Sequence, residues 1–300
     1  MKTLVCVEGQ ENALKAVRLA ASFACTTSED ATILFVQRHR SKTRTQPLAS
    51  QTIAISAELW RQTPEMQSLL KAEKVFKKSR TWEKHSAELP ASHTALIQVG
   101  DGVFEVGKVQ LGSDSGVHLR TRIGVPQEEI LAELEEGRYD LVMLGAHRIP
   151  GCPWSEIENG PLYVAQRARC PAMVIGKDFA GSQPVLVCVG EKTPPESTLE
   201  LVRLTATRMK SDIDVVTVLK SPDPSFSFGP EVSFMMERWL ASGLKVTPKV
   251  VAGDPVTGIL EMAPDYGLIV CSFADKHKKG RLGKVTKGVL CSQFNLLVAR

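Results

Sequence analysis

Six cationic side chains, Lys276, Lys278, Lys279, Arg281, Lys284 and Lys287, crowd one stretch near the end of this 300-residue sequence. Gly283-Lys284-Val285 stands among them, at the start of a segment that reads as a helix. Cations beside a helix start suit an anion. Backbone N–H groups and the helix dipole meet a phosphate, and the ammonium groups neutralise it. A solvated basic loop is the plain alternative. The stretch is not a Walker A loop, because no Gly-x4-Gly-Lys-[Ser/Thr] stands there.

Other chemistry is thinly represented. There is no Gly-x-Ser-x-Gly, no His-Glu-x-x-His, no Gly-x-Gly-x-x-Gly and no metal-spaced Cys/His cluster. His147 is a candidate base, but a lone histidine reads first as a loop residue. The seven cysteines, Cys6, Cys25, Cys152, Cys170, Cys188, Cys271 and Cys291, are scattered singly, with no Cys-x-x-Cys. Four of them (Cys6, Cys170, Cys188 and Cys271) fall in or beside expected strands and read as small buried hydrophobes. Cys152, in an expected loop, is the redox candidate. The expected catalytic set and the expected metal set are therefore empty.

The elements that would position an anion site follow from hydrophobic period. Lys2–Val7 and Thr32–Val36 read as strands around a helix from Ala13 to Phe23. Ile130, Leu131 and Leu134 mark a helix, and Leu141–Leu144 is a short apolar run ending at Gly145, as a strand covered on both faces should be. A strand ending in Gly145 and feeding a helix is where an open α/β sheet places its ligand crevice. Gly181-Ser182-Gln183-Pro184 reads as a linker. After it the pattern restarts: Val185-Leu-Val-Cys-Val-Gly190 echoes Leu4-Val-Cys-Val-Glu8, and Gly267-Leu-Ile-Val-Cys-Ser272 echoes Tyr139-Asp-Leu-Val-Met-Leu-Gly145. Gly253-Asp-Pro likewise echoes Gly124-Val-Pro. A repeat near 150 residues makes this two copies of one domain rather than one large domain.

Net charge is +4 and local: eleven Lys/Arg against four Asp/Glu lie between Arg38 and Lys84. Within it, Thr63-Pro64-Glu65 opens a helix with an N-cap, a proline at the first helical position and an acid in the first turn. Its apolar face is Met66, Leu69, Leu70 and Phe76, and Lys71, Lys74, Lys77 and Lys78 hold the rest. That face is either solvated or a dock for an acidic protein partner; it is too weakly basic for a committed nucleic-acid binder. Ala95–Val106 reads as a hairpin around Gly100-Asp101-Gly102, and Val117–Ile123 as a strand whose polar side is basic. Apolar runs of five to seven residues exclude a spanning helix, and the first eight residues lack a signal peptide's apolar core. The expected location is the cytoplasm.

The stretch from Gly124 to Lys177 resembles the universal stress protein family: a strand ending in Gly, the pattern Gly-x2-Gly-x9-Gly-[Ser/Thr], a helix, then Cys-Pro and a last apolar strand. Gly145 fits the first position, and Cys170-Pro171 with Ala172–Ile175 fits the end. The later positions depart: Arg148 and Glu158 stand for glycines and Asn159 for Ser/Thr. Glu8-Gly9 stands where the family carries the acid near base and ribose. A carboxylate at Glu158, where members hold phosphate, would cost about 1–4 kcal/mol by repulsion. In the second copy Gly190 replaces the first-strand acid, Cys271 replaces the first loop glycine, Ser272 beside it joins the candidate anion site, and the loop through Lys279 and Arg281 is short. Gly283, Lys284 and Val285 match the Gly-[Ser/Thr]-Val of the helix start, with Lys for Ser.

The resemblance implies two adenine-nucleotide-α-hydrolase-like α/β domains, each a five-stranded parallel sheet with helices on both faces. The expected bounds are 1–178, with an inserted basic helix and hairpin over 38–116, and 184–300. It implies pairing of the copies through Met173–Ile175 and Leu296–Val298, with a homodimer still open. The first expectation for function is a non-catalytic stress-response regulator or scaffold with weak or lost ATP binding, requiring no cofactor. The second is a sensor of ATP or another phosphorylated ligand at the basic loop of the second domain.

Overall fold

The computed structural model describes residues 1–8, 11–23, 31–38, 62–79, 94–108, 117–146, 160–179, 182–190, 194–221, 223, 225–272, 282–292 and 294–299. Two compact units, Met1–Gly145 and Ala146–Arg300, divide the chain. The fold class is α/β, as expected, with strands and helices alternating on parallel-rich sheets.

In the first unit, β1 (Thr3–Val7), β2 (Ala31–Gln37), β5 (Val117–Ile123) and β6 (Leu141–Gly145) run parallel in the order β6-β1-β2-β5. β1 is buried along its whole length, which is why it reads as a continuous apolar run. Helix α1 (Glu11–Phe23) turns its alanines, Leu14, Val17 and Phe23 inward. Helix α2 (Pro64–Ser79) buries Met66, Leu69, Ala72 and Phe76, packs on α1 and β2, and is capped by Thr63, whose Oγ1 accepts from Met66 N at 3.3 Å. Strands β3 (Thr94–Gly100) and β4 (Val103–Lys108) form an antiparallel hairpin, and β4 pairs antiparallel with β5. The hairpin thus covers what would be an open sheet edge.

Helix α3 (Pro126–Gly137) follows β5 and carries Glu129, Glu133 and Glu136 toward it. Glu133 is fully buried and accepts from Arg120 at 2.7 Å, Arg122 at 2.8 Å and the Tyr139 hydroxyl at 2.7 Å. Arg120 also reaches Glu105 on β4 at 3.2 Å, so the cluster ties the hairpin to the sheet. The basic side of β5 therefore faces carboxylates: Arg122 is buried and Ile123 is left exposed.

In the second unit, α4 (Gly160–Arg167) leads to β7 (Ala172–Ile175), and β8 (Val185–Cys188) begins the repeat. Then come α5 (Glu196–Met209), β9 (Ile213–Leu219), α6 (Pro230–Ala241), β10 (Val246–Ala252), α7 (Pro255–Met262), β11 (Leu268–Ser272), α8 (Lys284–Cys291) and β12 (Leu296–Ala299). Five strands run parallel in the order β10-β9-β8-β11-β12. β7 pairs with β12 antiparallel, Val174 opposite Leu296 and Ala172 opposite Val298. Asn295 fixes this junction: its buried side chain accepts from Gly176 N and Lys177 N and donates to Gly267 O. Tyr266 precedes β11 as Tyr139 precedes β6, and its hydroxyl donates to Asp214 at 2.6 Å while accepting from Lys249. Each unit thus holds a buried tyrosine hydroxyl in a charge cluster at the same point of the repeat.

Candidate functional site

Parallel strands point their carboxyl ends one way, and an open sheet leaves a crevice where strand order reverses. In the second unit the chain runs outward from β8 through β9 to β10, then returns to the other side of β8 with β11 and β12. The reversal lies between β8 and β11. The equivalent reversal in the first unit lies between β1 and β6.

Glu8, exposed, leaves the end of β1, and Gly145 ends β6. The glycine has a packing reason: a Cβ there would lie 2.7 Å from Ala13 N and 2.9 Å from Asn12 C, at the start of α1. Gly9, His147, Arg148, Cys152, Glu158 and Asn159 lie outside the described residues, so the first-unit site is defined by Glu8 and Gly145 alone.

The second-unit site is better defined. Gly190, exposed, leaves β8 and, among the described residues, has no atom within 4 Å of where a Cβ would stand. Strand register fixes the repeat equivalence: Thr3 faces Leu141 in one unit and Val185 faces Leu268 in the other. Ser272, not Cys271, therefore corresponds to Gly145, and Cys271 corresponds to Leu144. This corrects the sequence assignment of Cys271 to the loop glycine; the short loop after β11 had obscured a one-residue offset. Cys271 lies inside the sheet and is buried.

Ser272 Oγ is buried and, among the described residues, has no hydrogen-bond partner. Its carbonyl accepts from Thr286 Oγ1 at 3.4 Å, which sets the end of β11 against the first turn of α8. That helix starts from Gly283, whose position provides no side-chain cap. Among the described residues no side chain caps its first turn, and such a helix start suits an anion. Lys284 is exposed at the first helical position, and Val285 is half-buried behind it. Asp254 caps α7 by accepting from Val256 N and Thr257 N. Those bonds, with a smaller share from the Lys284 charge, hold its carboxyl below the usual range. Lys276, Lys278, Lys279 and Arg281 lie outside the described residues. Ser272 thus meets the start of α8 through Thr286, Gly190 follows β8 beside β11, and Cys271 lies within the sheet.

Sequence reasoning set Ser272 against Gly145 in the strand echo yet gave the loop-glycine position to Cys271; the strand register keeps the echo. It missed that Cys188 and Cys271 are direct neighbours on β8 and β11. The Cys188 thiol is pushed up by its hydrogen bond to Cys271, and then by burial. Among the described residues no group of three or more His, Cys, Asp or Glu could hold a metal ion, and no helix is long and apolar enough to cross a membrane.

The sequence model of the universal stress protein family matches residues 1–176. No curated protein matches the sequence. A universal stress protein from Archaeoglobus fulgidus DSM 4304 is similar in structure at 14% identity, covering 100% of this chain and 96% of its own, with TM-score 0.62. A putative universal stress protein from Pseudomonas aeruginosa UCBPP-PA14 is similar at 14% identity, over 99% and 92%, with TM-score 0.56. A functionally unknown protein from Pseudomonas aeruginosa PAO1 is similar at 15% identity, over 99% and 92%, with TM-score 0.55. At these identities the likeness is one of fold.

Proposed function

The chain belongs to the universal stress protein family, and on that premise we propose that it is a tandem member acting as a non-catalytic stress-response regulator or scaffold that has lost most ATP affinity. Its two domains are taken as 1–178 and 184–300, paired within one chain through β7 and β12. The observation that carries this reading is at the strand reversals. The second copy puts Ser272 where the first keeps Gly145, and Gly190 where the first has an acid. Neither crevice keeps both the acid and the glycine pattern of the family at once. The exposed Lys71, Lys74, Lys77 and Lys78 on α2 offer a scaffold surface suited to an acidic protein partner.

Thermal unfolding with ATP, AMP and inorganic phosphate tests the reading. A ligand at one hundred times its Kd adds about 2.7 kcal/mol, which for domains of this size moves the midpoint by roughly 5–10 °C. The expected result is no shift with ATP or AMP at millimolar concentration. A shift of that size would contradict the loss of ATP binding.

A second reading, a sensor of a phosphorylated ligand, is favoured by the start of α8 at Gly283 beside Lys284, with no side-chain cap among the described residues, and by the buried Ser272 hydroxyl, which has no partner among them. It predicts a shift in wild type that Lys284→Glu abolishes. A shift that survives in that variant contradicts the assignment.

A further inference from the structure

We propose that the open edge of β10 receives an extended segment of a partner protein, antiparallel, with an apolar residue against Val250 and an acid against Lys249. The first copy shows the arrangement within its own chain. Strand register makes β5 and β10 equivalent: Val117 stands opposite Ala31, and Val246 opposite Ile213. Each strand is followed by a glycine whose N–H donates to the inner strand, Gly124 to Gln37 O and Gly253 to Leu219 O. Arg120 therefore corresponds to Lys249, Thr121 to Val250 and Ile123 to Ala252. β4 lies antiparallel on the outer edge of β5, Phe104 opposite Thr121 and Glu105 opposite Arg120. β10 ends its sheet, and among the described residues no strand pairs with its outer edge.

The backbone donors that the first copy uses are kept in the second. Ile123 N donates to Gly102 O at 3.0 Å, so the odd-numbered residues of β5 turn their N–H groups outward. The equivalent outward residues of β10 are Val246, Pro248, Val250 and Ala252. Pro248 falls at the position of Leu119, outside the stretch Arg120–Arg122 that β4 pairs. The proline thus shortens the edge at its amino half, while Val250 and Ala252 keep the donors that receive a strand.

The side chains set what the segment carries. Arg120 meets Glu133 at 2.7 Å and Glu105, on the added strand, at 3.2 Å. Lys249 meets Asp214 at 2.8 Å and, among the described residues, no second carboxylate, and its side chain is 41% exposed. An acid opposite Lys249 repeats the pair of Glu105 with Arg120. Val250 is 49% exposed and points to the other face of the strand. An apolar residue beside the acid, as Phe104 stands beside Glu105, covers it. Main-chain bonds then supply affinity, and the two side chains supply selectivity.

The probe is the β4 sequence itself, Gly-Val-Phe-Glu-Val-Gly-Lys (102–108), as a capped fluorescent peptide titrated onto the full chain. Saturable binding is expected, with slowed amide exchange over 249–253. N-methylation of the peptide's Phe amide, which removes one main-chain bond and leaves the protein unaltered, should abolish binding. Glu105→Lys in the peptide should weaken it about tenfold. Val250→Pro, which removes one outward N–H, should abolish it in the protein; if that variant fails to fold, the N-methylated peptide decides. No saturable binding at millimolar peptide, binding that N-methylation leaves unchanged, or slowed exchange only elsewhere overturns the proposal. A wild-type dimer in sedimentation that Val250→Pro dissolves makes the occupant a second copy, and also overturns it. None of these results depends on nucleotide at either crevice.

Discussion

Glu133 shows how one residue can organise a unit. It is fully buried, yet three donors meet its two oxygens. Burial alone would raise its pKa; the hydrogen bond from Tyr139, then that from Arg122 and the charge of Arg120, hold it below the usual carboxylate range. Replacing it with glutamine leaves Arg120 its Glu105 and Arg122 its Glu129 and Glu136, but takes the charged acceptor from three donors at a buried point, at a cost of about 1–3 kcal/mol. The sign with pH follows from the lowered value. The contribution is present above the ordinary carboxylate pKa and is lost as pH falls through the folded one. Urea unfolding should therefore show a gap between wild type and Glu133→Gln near neutrality that narrows below about pH 4. A gap constant with pH would contradict the ionised state of Glu133. The basic side of β5 was legible in the sequence; its burial was not, because period-2 alternation carries no partner. The missing signal was Glu129, Glu133 and Glu136, spaced to line one side of the next helix.

At the scale of elements, the two copies treat the same sheet edge differently. In the first, the hairpin β3–β4 covers β5. In the second, β10 is an edge strand. Ile213 N donates to Lys245 O and Gly253 N to Leu219 O, so the odd-numbered residues face β9 and Val246, Pro248, Val250 and Ala252 face outward. Pro248 removes one N–H from that open edge, a known way to blunt it. Val250 on the same edge strand is exposed, as are Phe234 and Leu240 on the preceding helix. Pro248→Thr should restore the donor and produce self-association that grows with concentration in sedimentation velocity, relative to wild type at the same loading. Unchanged sedimentation would mean Pro248 has no protective role. The strands themselves were readable as apolar runs, as at β1 and β6. The hairpin's turn was marked by Gly100-Asp101-Gly102, and Gly102 takes the positive φ of 67° that such a turn asks of glycine. Its place on β5 was not marked, since edge pairing depends on which strand is left uncovered.

For the whole molecule, repetition was the most informative sequence signal, and the loops were the least. Val-Cys-Val recurs at the end of β1 and at the end of β8, and the structure gives both strands the first position of a parallel sheet with reversing order. The strand echo already set Ser272 against Gly145, whereas the family spacing, read through a short loop, moved the loop-glycine position to Cys271. The proposed drift of both reversals away from ATP is tested most directly by the nucleotide content of the protein purified from cells, denatured and resolved by chromatography and mass spectrometry. The expected value is well under one-tenth of a mole of adenine nucleotide per mole of chain. Near-stoichiometric ATP or AMP would contradict the drift and make the chain a nucleotide-binding member of its family.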